Sequence, residues 1–528
     1  MDDILKFITT PIYYPNGDPH AGHAYTSVMA DILKRWVEQN RRGSHVFLST
    51  GVDEHGQKME KLIRESGLSA AEYLDRKTAS FRSIFNRLDV GYDAYVRTTD
   101  PHHIAGVQYA LQKVYDQGYL EAQEYEGLYC EGCEMFKTPS ELDEDGCCRD
   151  HKTRTVLLKE KNYVLPLEPH RAWLSEQIAE HPDWIRPEEN RNEILQLLKE
   201  PLPPLCISRP KSRTQHGIEL PFDHDYVTYV WFDALLNYVT VIGYPECGGR
   251  FGDLWGHSCH LIGKDIAKTH CIYWPIMLKA LGLPLFGRIR IHGHWLGADG
   301  RKMSKSRGNV VDPVKVVDAC GADPFRYYLA KNMTQTDSLM GYAMIDNCYN
   351  AELVNNISNA TYRVLKMVKK NWPETLRLPA VFDAGDEHFL DEIFRTASDA
   401  FRLEPELENV RARACRIPEI ATRINVYIDE RKPWQLSGAE DAPRRDSLLL
   451  TLLEAVRLLH LTAWPVMPGT AQRILDRLNC PADLLDRRRF FADGQTIGEP
   501  LIVFMRKTLF PDPGEDGKES GKKTETKP

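Results

Sequence analysis

A strand-loop-helix pattern near the start of the chain constrains its fold more than any other part of the sequence. Residues 4–9 form a β-prone run, and the Pro, Asn and Gly of residues 11–19 interrupt it. After the interruption, apolar side chains recur at helical spacing through residues 24–37. The pattern predicts a strand that breaks at Pro11, a turn-rich loop, and a helix that begins near residues 20–23.

His20, Gly22 and His23 lie where this helix is expected to begin. The first amides of a helix lack intrahelical partners and stand at the positive end of its dipole, so this point favours anions. Two imidazoles there can donate hydrogen bonds to a phosphate, and Gly22 allows a flat base to approach the backbone. Taken alone, such a histidine pair is more often solvated or part of a helix cap.

A second signal lies far downstream, in the basic loop of residues 299–309. Arg301, Lys302, Lys305 and Arg307 crowd into this loop, and a glycine stands near each of its ends. By itself, a charge cluster of this kind is as typical of a solvated loop as of a binding site. A glycine-edged basic loop combined with a His-x-Gly-His helix start is far more specific.

Together the two motifs resemble the signatures of the class I aminoacyl-tRNA synthetases, which are written HIGH and KMSKS. Residues 20–23 read His-Ala-Gly-His, and residues 302–306 match the second signature without a change. The resemblance implies an α/β fold: a Rossmann-type parallel sheet, split by a zinc-binding connective insertion and followed by an all-α helix bundle. It also implies catalytic roles for His20, His23, Lys302 and Lys305, and ATP binding by these four residues and Gly22.

The length of 528 residues predicts three or four domains, and the resemblance assigns them. The expected segments are the first half of the Rossmann catalytic domain at 1–118, the connective insertion with its zinc knuckle at 119–225, the second half of the catalytic domain at 226–295, the KMSKS loop and stem-contact region at 296–345, an α-helical anticodon-binding domain at 346–510, and a disordered tail at 511–528. The tail is polar and low in complexity, and no further β-rich module is expected after the bundle. Because dimers in the family often depend on such a module, a monomer is expected.

The composition argues against a membrane protein and limits how a nucleic acid could bind. No apolar run reaches the roughly 18 residues that a membrane helix needs. The acidic N-terminus runs directly into the first strand without a secretory or transit pattern. A net charge of -8 does not by itself indicate a nucleic-acid binder, so a tRNA would be met by local basic patches. We therefore expect a cytoplasmic enzyme.

Of the 12 cysteines, only Cys130, Cys133, Cys147 and Cys148 cluster, which is more typical of one metal site in a reducing compartment than of a disulfide framework. Two residues separate Cys130 from Cys133, and two residues separate Cys148 from His151, which is the spacing of a zinc knuckle. We expect one structural Zn²⁺ held by Cys130, Cys133, Cys148 and His151. Cys147 could replace Cys148, and a metal-free cluster of buried thiols is the alternative.

Asp53 follows the predicted second strand, residues 45–50. Open α/β sheets bind ligands at the C-terminal ends of their parallel strands, so Asp53 is a candidate partner for a substrate ammonium group. A turn or helix-cap aspartate is the equally weighted alternative. The run of residues 50–56 is similar to the corresponding segment of the methionyl-tRNA synthetases, a family within class I, with Val52 in place of the more usual Thr.

Two later segments extend this resemblance. Residues 227–232 form a β-prone run that carries Trp231, and helical spacing follows as far as Tyr238. Residues 260–270 again predict a strand and then a polar turn. The likeness now spans residues 7–510. Carried over position by position, it implies a methionine pocket of Ile12, Tyr14, Asp53, Trp231, Ala234, Leu235, Tyr238, Ile266 and His270.

The implied pocket suits methionine chemically. A thioether is flexible and polarisable and fits aromatic faces and edges. The hydroxyl of Tyr14 or a ring N–H of His270 can recognise its sulfur weakly, while Asp53 would pair with the ammonium group. The sequence departs from the family at Leu235, where one branch often has Pro, and at His216, where Trp is usual. Without the resemblance, aromatic runs of this kind are more typical of a protein core.

Helical periodicity returns in residues 350–369 and 390–428 with few strand signals, which predicts a helix bundle. The resemblance implies that Asn359, Arg363 and Trp434 read the anticodon of a tRNA. Single-stranded bases are recognised by stacking on aromatic rings and by hydrogen bonds to their edges, so this set makes chemical sense. A surface polar pair and a core tryptophan are the alternative.

The activity implied by the resemblance is that of a methionine--tRNA ligase. L-Methionine is activated by ATP, with its Mg²⁺, to methionyl-adenylate, and is then transferred to the 3′-terminal adenosine of tRNA(Met), with release of pyrophosphate and AMP. Class I enzymes for branched amino acids usually carry a large editing insertion, for which the connecting stretch is too short. A cysteinyl enzyme would bind zinc in its amino-acid pocket. A small-molecule nucleotidyltransferase would need neither insertion nor bundle, and a non-enzymatic tRNA-binding protein would not need both motifs.

Overall fold

The computed structural model describes residues 5–130, 135–137, 139–149, 152–303, 308–483 and 485–510. The chain divides into two compact units. The first unit comprises residues 1–34, 45–86 and 90–294, and the second comprises 35–44, 87–89 and 295–528.

The elements that begin in the first unit include both strands and helices. Its strands are β1 Phe7–Tyr13, β2 Phe47–Val52, β3 Ala94–Arg97, β4 Glu121–Cys130, β5 Met135–Lys137, β6 Val156–Leu165, β7 Ile185–Arg186, β8 Leu205–Cys206, β9 Ser208–Pro210, β10 Glu219–Leu220, β11 Asp223–Thr228, β12 Ser258–Gly263 and β13 Arg288–His292. Its α-helices are α1 Ala21–Asn40, α2 Gln57–Ser66, α3 Ala70–Arg87, α4 Pro101–Asp116, α5 Arg171–Glu180, α6 Glu188–Leu197, α7 Val230–Thr240, α8 Arg250–Leu254 and α9 Trp274–Ala280. Short 3₁₀ turns occupy Pro139–Glu141, Glu168–His170, Trp255–His257 and Lys264–Ile266, and a π-helical turn occupies Thr269–Tyr273.

Six parallel strands form the central sheet, in the order β3-β2-β1-β12-β13-β7. β2 and β3, the next two strands in the chain, lie on one side of β1 in the sheet, and β12 lies on its other side. The strand order therefore reverses between β1 and β12. A reversal of this kind opens a crevice at the C-terminal ends of the strands, where open α/β sheets bind ligands. All six residues of β12 are buried, as expected for a strand covered on both faces.

Two of the sequence predictions for this sheet are wrong in detail. The first strand does not break at Pro11 but continues to Tyr13, because a register shift between Thr9 and Ile12 accommodates the proline beside β2. The β-prone run of residues 227–232 is not one strand, since β11 ends at Thr228 and α7 begins at Val230. Ten of the eleven residues of α7 are buried, so the helix has almost no exposed face and its sequence lacks an amphipathic period.

A four-stranded antiparallel sheet, in the order β5-β4-β6-β8, follows the first half of the central sheet. Its longest pairing joins β4 and β6, from Glu121 opposite Val164 to Tyr129 opposite Val156. Cys130 is the last residue of β4, so this sheet carries the first cysteine of the predicted zinc site. A smaller sheet, β10-β11-β9, precedes α7.

The second unit is mainly helical, as the periodicity predicts. Its elements are β14 Trp295–Gly297, α10 Pro313–Cys320, α11 Ala322–Asn332, β15 Ser338–Met340, α12 Tyr342–Cys348, a π-helical segment Tyr349–Ser358, α13 Asn359–Asn371, α14 Ala384–Arg402, α15 Leu407–Arg431, a 3₁₀ turn Pro433–Gln435, α16 Ala442–Ala463 and α17 Pro468–Arg477. Every residue of α16 from Ser447 to Ala463 is buried, and α13, α14, α15 and α17 pack around it. This arrangement confirms the predicted helix bundle. Within the described residues, no helix is both long and apolar enough to cross a membrane.

Candidate active site

The histidine pair lies at the start of α1, at the end of the loop that follows β1. His20 and His23 stack with ring centroids 3.7 Å apart, and the ring of His23 also packs on Tyr13 and Phe81. The backbone N–H of His20 donates to Nδ1 of His23 at 3.2 Å, and the N–H of Gly22 donates to Nδ1 of His20 at 3.1 Å. The local backbone therefore fixes both ring orientations.

These bonds decide which ring nitrogens can donate. Because Nδ1 of each ring accepts a backbone N–H, a neutral imidazole at either position carries its proton on Nε2. Burial, together with the charge of neighbouring His20, holds the pKa of His23 well below its usual range, so His23 is neutral at pH 7. The pair thus presents ring N–H donors at a helix N-terminus, an arrangement suited to phosphate oxygens.

The predicted methionine-pocket residues on α7 meet those that follow β12. The hydroxyl of Tyr238 lies 2.7 Å from Nε2 of His270, and Nδ1 of His270 lies 2.9 Å from the carbonyl oxygen of Ile266. The ring centroids of Trp231 and His270 lie 6.3 Å apart, and the two rings are arranged edge to face. Leu235 and Tyr238 are fully buried in the same apolar core, against which Trp231 and Ile266 pack.

The hydrogen bonds of His270 bear on its expected role. Since a carbonyl oxygen can only accept, Nδ1 of His270 is the protonated nitrogen, and Nε2 then accepts the hydroxyl proton of Tyr238. Burial lowers the pKa of His270 to about 4, although the bond to Ile266 opposes the shift. Both ring nitrogens are thereby occupied within the chain, so the ring offers a methionine thioether its C–H edge and π face rather than a spare N–H donor.

Asp53 lies just beyond β2, beside the loop that follows β1. Its backbone N–H donates to the carbonyl oxygen of Tyr13 at 2.9 Å, and only 8% of the residue is exposed. Ile12 lies opposite Gly51 in the β1–β2 register, and the hydroxyl of Tyr14 accepts the N–H of Met59 at 3.2 Å. Ala234 is buried on α7. The strand ends and α7 therefore hold the remaining predicted pocket residues.

One buried group was not singled out by the sequence analysis: the carboxylate of Asp233 on α7. Its side chain is fully buried, and its oxygens accept hydrogen bonds from Nδ1 of His55 at 2.6 Å and from Nε2 of His103 at 2.7 Å. Burial opposes ionisation, but the charge of His55 and the bonds from both histidines outweigh it and lower the pKa of Asp233. The sequence signal was available but weak: an aspartate inside an apolar helix must have buried partners.

Comparison with known proteins identifies the family. The model of the family described as tRNA synthetases class I (M) matches residues 6–155 and 138–365. The chain belongs to this family. It is 36% identical to a methionine--tRNA ligase of Clostridium acetobutylicum over 517 residues, which cover 96% of this chain and 79% of that protein. It is also 36% identical to the methionine--tRNA ligase of Streptomyces coelicolor over 493 residues, covering 90% of each chain.

A solved structure is similar over almost the whole length. The methionyl-tRNA synthetase of Mycobacterium tuberculosis in complex with methionyl-adenylate matches with a TM-score of 0.89 and 31% identity, covering 95% of this chain and 99% of that one. These comparisons confirm the resemblance and the predicted α/β fold with its helical C-terminal region, while zinc binding by the insertion stays a prediction. Belonging to class I also makes the chain an ATP-dependent aminoacyl-tRNA synthetase.

The class I signature loop lies in the second unit. Lys302 is exposed, and its backbone forms an antiparallel bridge with Leu296. The carboxylate of Asp299 accepts the N–H of Arg301 at 3.1 Å and the side-chain amide of Asn309 at 3.2 Å, which closes the base of the loop. Residues 304–307 lie outside the described residues, so Lys305 stays a prediction.

Half of the predicted zinc ligands fall within the described residues. Cys130 and Cys148 are both buried, and both meet Thr153: Sγ of Cys130 lies 3.6 Å from its hydroxyl, and the N–H of Cys148 donates to its carbonyl oxygen at 2.9 Å. Cys147 is more exposed and pairs with Arg154 instead. Thr153 thus contacts the thiol of Cys130 and the backbone of Cys148, and two buried cysteines joined in this way are compatible with a thiolate metal site. Cys133 and His151 lie outside the described residues.

The helical unit brings together the predicted anticodon residues of α13. The side-chain amide of Asn359 donates to Oδ1 of Asn425 at 3.2 Å, and Arg363 approaches the same oxygen at 3.5 Å. Arg363 also pairs with Asp429 at 2.6 Å. Asn425 and Asp429 were missed in the sequence, although they stand one turn apart on α15. Trp434 is 56% exposed in the 3₁₀ turn after α15, which is not the environment of a core tryptophan.

The depressed pKa of His270 predicts a pH effect on stability. The folded chain resists protonation until about pH 4, whereas the unfolded chain takes up the proton near pH 6.5. The stability that the neutral ring contributes is therefore complete above pH 6.5 and is lost as the pH falls towards 4. His270→Gln should reduce the pH dependence of the unfolding free energy in this window by up to about 1.4 kcal/mol per pH unit, or one proton. Urea unfolding at pH 7, 6 and 5 measures this, and parallel curves for the two proteins would contradict it.

Proposed function

We propose that the chain is a methionine--tRNA ligase. It activates L-methionine with ATP to methionyl-adenylate and pyrophosphate, and transfers the methionyl group to the 3′-terminal adenosine of tRNA(Met) with release of AMP. The observation that carries this proposal is 36–38% identity to curated methionine--tRNA ligases over 96–97% of the chain. The stacked histidines after β1 and the aromatic pocket on α7 support it chemically.

In the first step, the methionine carboxylate attacks the α-phosphorus of ATP, and the bond to the pyrophosphate oxygen breaks. The Nε2–H donors of His20 and His23 bind phosphate oxygens and stabilise the negative charge that builds in the transition state. Lys302 and Lys305 would supply positive charge to the leaving pyrophosphate. Mg²⁺ bound with ATP would neutralise part of the charge on the phosphates. No covalent intermediate with the enzyme is needed.

Methionine is selected by shape and polarisability. The thioether packs against Trp231 and against the edge of His270, whose ring is held by Tyr238 and Ile266. The carboxylate of Asp53 pairs with the substrate ammonium group. Because His270 is neutral and its nitrogens are occupied, a charged or strongly polar side chain would find no partner there.

The tRNA-binding part of the proposal rests on the helical unit. Trp434 offers an exposed ring for stacking with an anticodon base, and Asn359 and Arg363 offer donors for base edges. Since its substrate is tRNA, we place the protein in the cytoplasm. We further propose that it acts as a monomer, with the residues for both substrates supplied by one chain.

We also propose one structural Zn²⁺ per chain. Cys130 and Cys148 would hold it together with Cys133 and His151, and Cys147 would stay outside the set. A closed set of three thiolates and an imidazole supplies cross-linking rather than chemistry, stabilising a segment with few apolar residues.

The experiment that tests the function is pyrophosphate exchange with a panel of amino acids. Methionine should support exchange, while leucine, isoleucine, valine and cysteine should not. Lys302→Ala should lower the methionine-dependent rate by orders of magnitude and leave the affinity for methionine nearly unchanged, because the lysine acts on charge that develops at the phosphates. Lys305→Ala should behave alike.

Lys199→Ala, which removes an exposed lysine of the first unit, is the matched control and should retain the full rate. Exchange with another amino acid of the panel would assign a different class I enzyme. Unaltered exchange in both loop variants would remove the loop from the chemistry.

Trp434→Ala separates tRNA recognition from methionine activation. The variant should charge tRNA(Met) about 5- to 150-fold more slowly, because one base loses a stacking surface worth about 1–3 kcal/mol. Pyrophosphate exchange should be unaffected. Trp464→Ala, which removes a partly buried tryptophan of the same unit, is the comparison. A loss of both activities in Trp434→Ala would instead indicate a structural tryptophan.

Metal analysis of two cysteine variants tests the zinc site. Cys148→Ser should lose the zinc found in the wild-type protein, because a hydroxyl is a poor replacement for a thiolate. Cys147→Ser should retain about one zinc per chain. The reverse pattern would make Cys147 the ligand, and a wild-type protein without zinc would end the proposal.

A further inference from the structure

The fully buried carboxylate of Asp233 holds two histidines from different parts of the first unit. His55 follows β2, and His103 lies on α4. An ionised carboxylate at such depth is costly unless each oxygen is paired, and here each oxygen has its own imidazole donor. None of the chemical steps described above uses this carboxylate.

His55 connects this buried carboxylate to the predicted ammonium partner. Its ring donates to Oδ2 of Asp233 at 2.6 Å, while its backbone N–H lies 3.4 Å from Oδ1 of Asp53 and points to it. A single residue thus contacts both aspartates, one through its side chain and the other through its backbone. The orientation of the Asp53 carboxylate depends on where His55 is held.

The same helix that carries Asp233 also carries the wall of the methionine pocket. Trp231 and Ala234 flank Asp233 in the sequence of α7, and Tyr238 lies further along the helix. A rigid helix fixes the spacing between these residues. The hydrogen bond that His55 donates to Asp233 therefore links the helix that carries the pocket wall to the loop that carries Asp53.

Glu54, which lies between Asp53 and His55 in this loop, is held by partners other than Asp233. The carboxylate of Glu54 accepts hydrogen bonds from Nε–H of Arg97, at 3.0 and 3.1 Å to its two oxygens, and from the hydroxyl of Thr78 at 2.7 Å. Nε2 of His216 donates to the carbonyl oxygen of Glu54 at 2.7 Å. Loss of the Asp233 bond would therefore release the His55 side of the loop without detaching the whole loop.

We propose that Asp233 is a positioning residue, which acts through His55 to hold the carboxylate of Asp53 where it binds the ammonium group of methionine. This inference rests on the proposed function. It predicts a defect confined to ligands that carry an ammonium group, whereas general damage to the pocket would weaken every methionine analogue.

The test compares two competitive inhibitors of methionine-dependent pyrophosphate exchange. L-Methioninol keeps the ammonium group and lacks the carboxylate, while 4-(methylthio)butanoate lacks the ammonium group and keeps the thioether. In Asp233→Asn, an amide offers one acceptor and one donor to two imidazole N–H groups, so one of the two bonds is lost. We expect about a tenfold rise in the KM for methionine and in the Ki of L-methioninol. The KM for ATP and the Ki of 4-(methylthio)butanoate should stay within twofold.

Variants of His55 test the same link if Asp233→Asn does not fold. His55→Ala removes the donor and should reproduce the tenfold, ammonium-selective loss. His55→Asn keeps a side-chain N–H near the position of Nδ1 and should restore the Ki of L-methioninol to within threefold of the wild-type value. In an Asp53→Asn background, Asp233→Asn should have no further effect on L-methioninol, because the two residues act through one contact.

Asp386→Asn is the matched control. Asp386 is a buried carboxylate of the helical unit, which accepts the hydroxyls of Tyr427 at 2.6 Å and Ser447 at 2.7 Å, and its loss should leave both inhibition constants unchanged. Equal weakening of both inhibitors in Asp233→Asn, or no change in either, would overturn the inference. Wild-type protein that fails to exchange pyrophosphate with methionine would overturn the proposed function instead.

Discussion

The parallel pairing of β1 with β12 is the constraint on which the catalytic unit depends. Phe7, Ile8 and Thr9 pair with residues more than two hundred positions away, and the hydroxyl of Thr9 lies 2.7 Å from Nδ1 of buried His260. Because the strand order reverses at this pair, the two loops that leave its C-terminal end border one crevice. The histidine pair follows β1 and the residues around His270 follow β12, so this pairing brings together the two segments that carry the proposed substrate site.

Burial and specific hydrogen-bond partners control the ionisation of the polar groups near this crevice. His260, His270 and His292 all have a pKa held below the usual value by burial, and each is hydrogen-bonded in the neutral form. Asp233 is the opposite case, because two imidazole donors keep it ionised in the core. The neutral rings thus lie among buried groups of the sheet and its helices, while the paired carboxylate holds His55 in the loop that follows β2.

The differences between expectation and structure have identifiable causes. Pro11 interrupts a sequence pattern, but in the sheet a register shift absorbs it and β1 continues. The apolar run at the start of α7 has strand-like composition, yet burial on all sides makes a helix without an amphipathic stripe. The sequence offers the hydroxyl of Tyr14 or a ring N–H of His270 to the sulfur, but the carbonyl oxygen of Ile266, one turn away, and the hydroxyl of Tyr238 occupy both nitrogens of His270. In each case the partners and the burial found in the folded chain outweighed the preference of the local sequence.

The sequence by itself determined the family: two distant motifs carried the resemblance, which implied the α/β fold and most candidate residues, and helical periodicity predicted the helix bundle. These signals are local, since each depends on residue types within a few turns or strands. Only the tertiary structure decided the tautomers of the histidines, the burial of Cys148 rather than Cys147, the exposure of Trp434 and the pairing of Asp233 with His55 and His103. Those properties depend on which groups from remote segments come into contact, because these contacts determine the hydrogen-bond partners and the desolvation of each group.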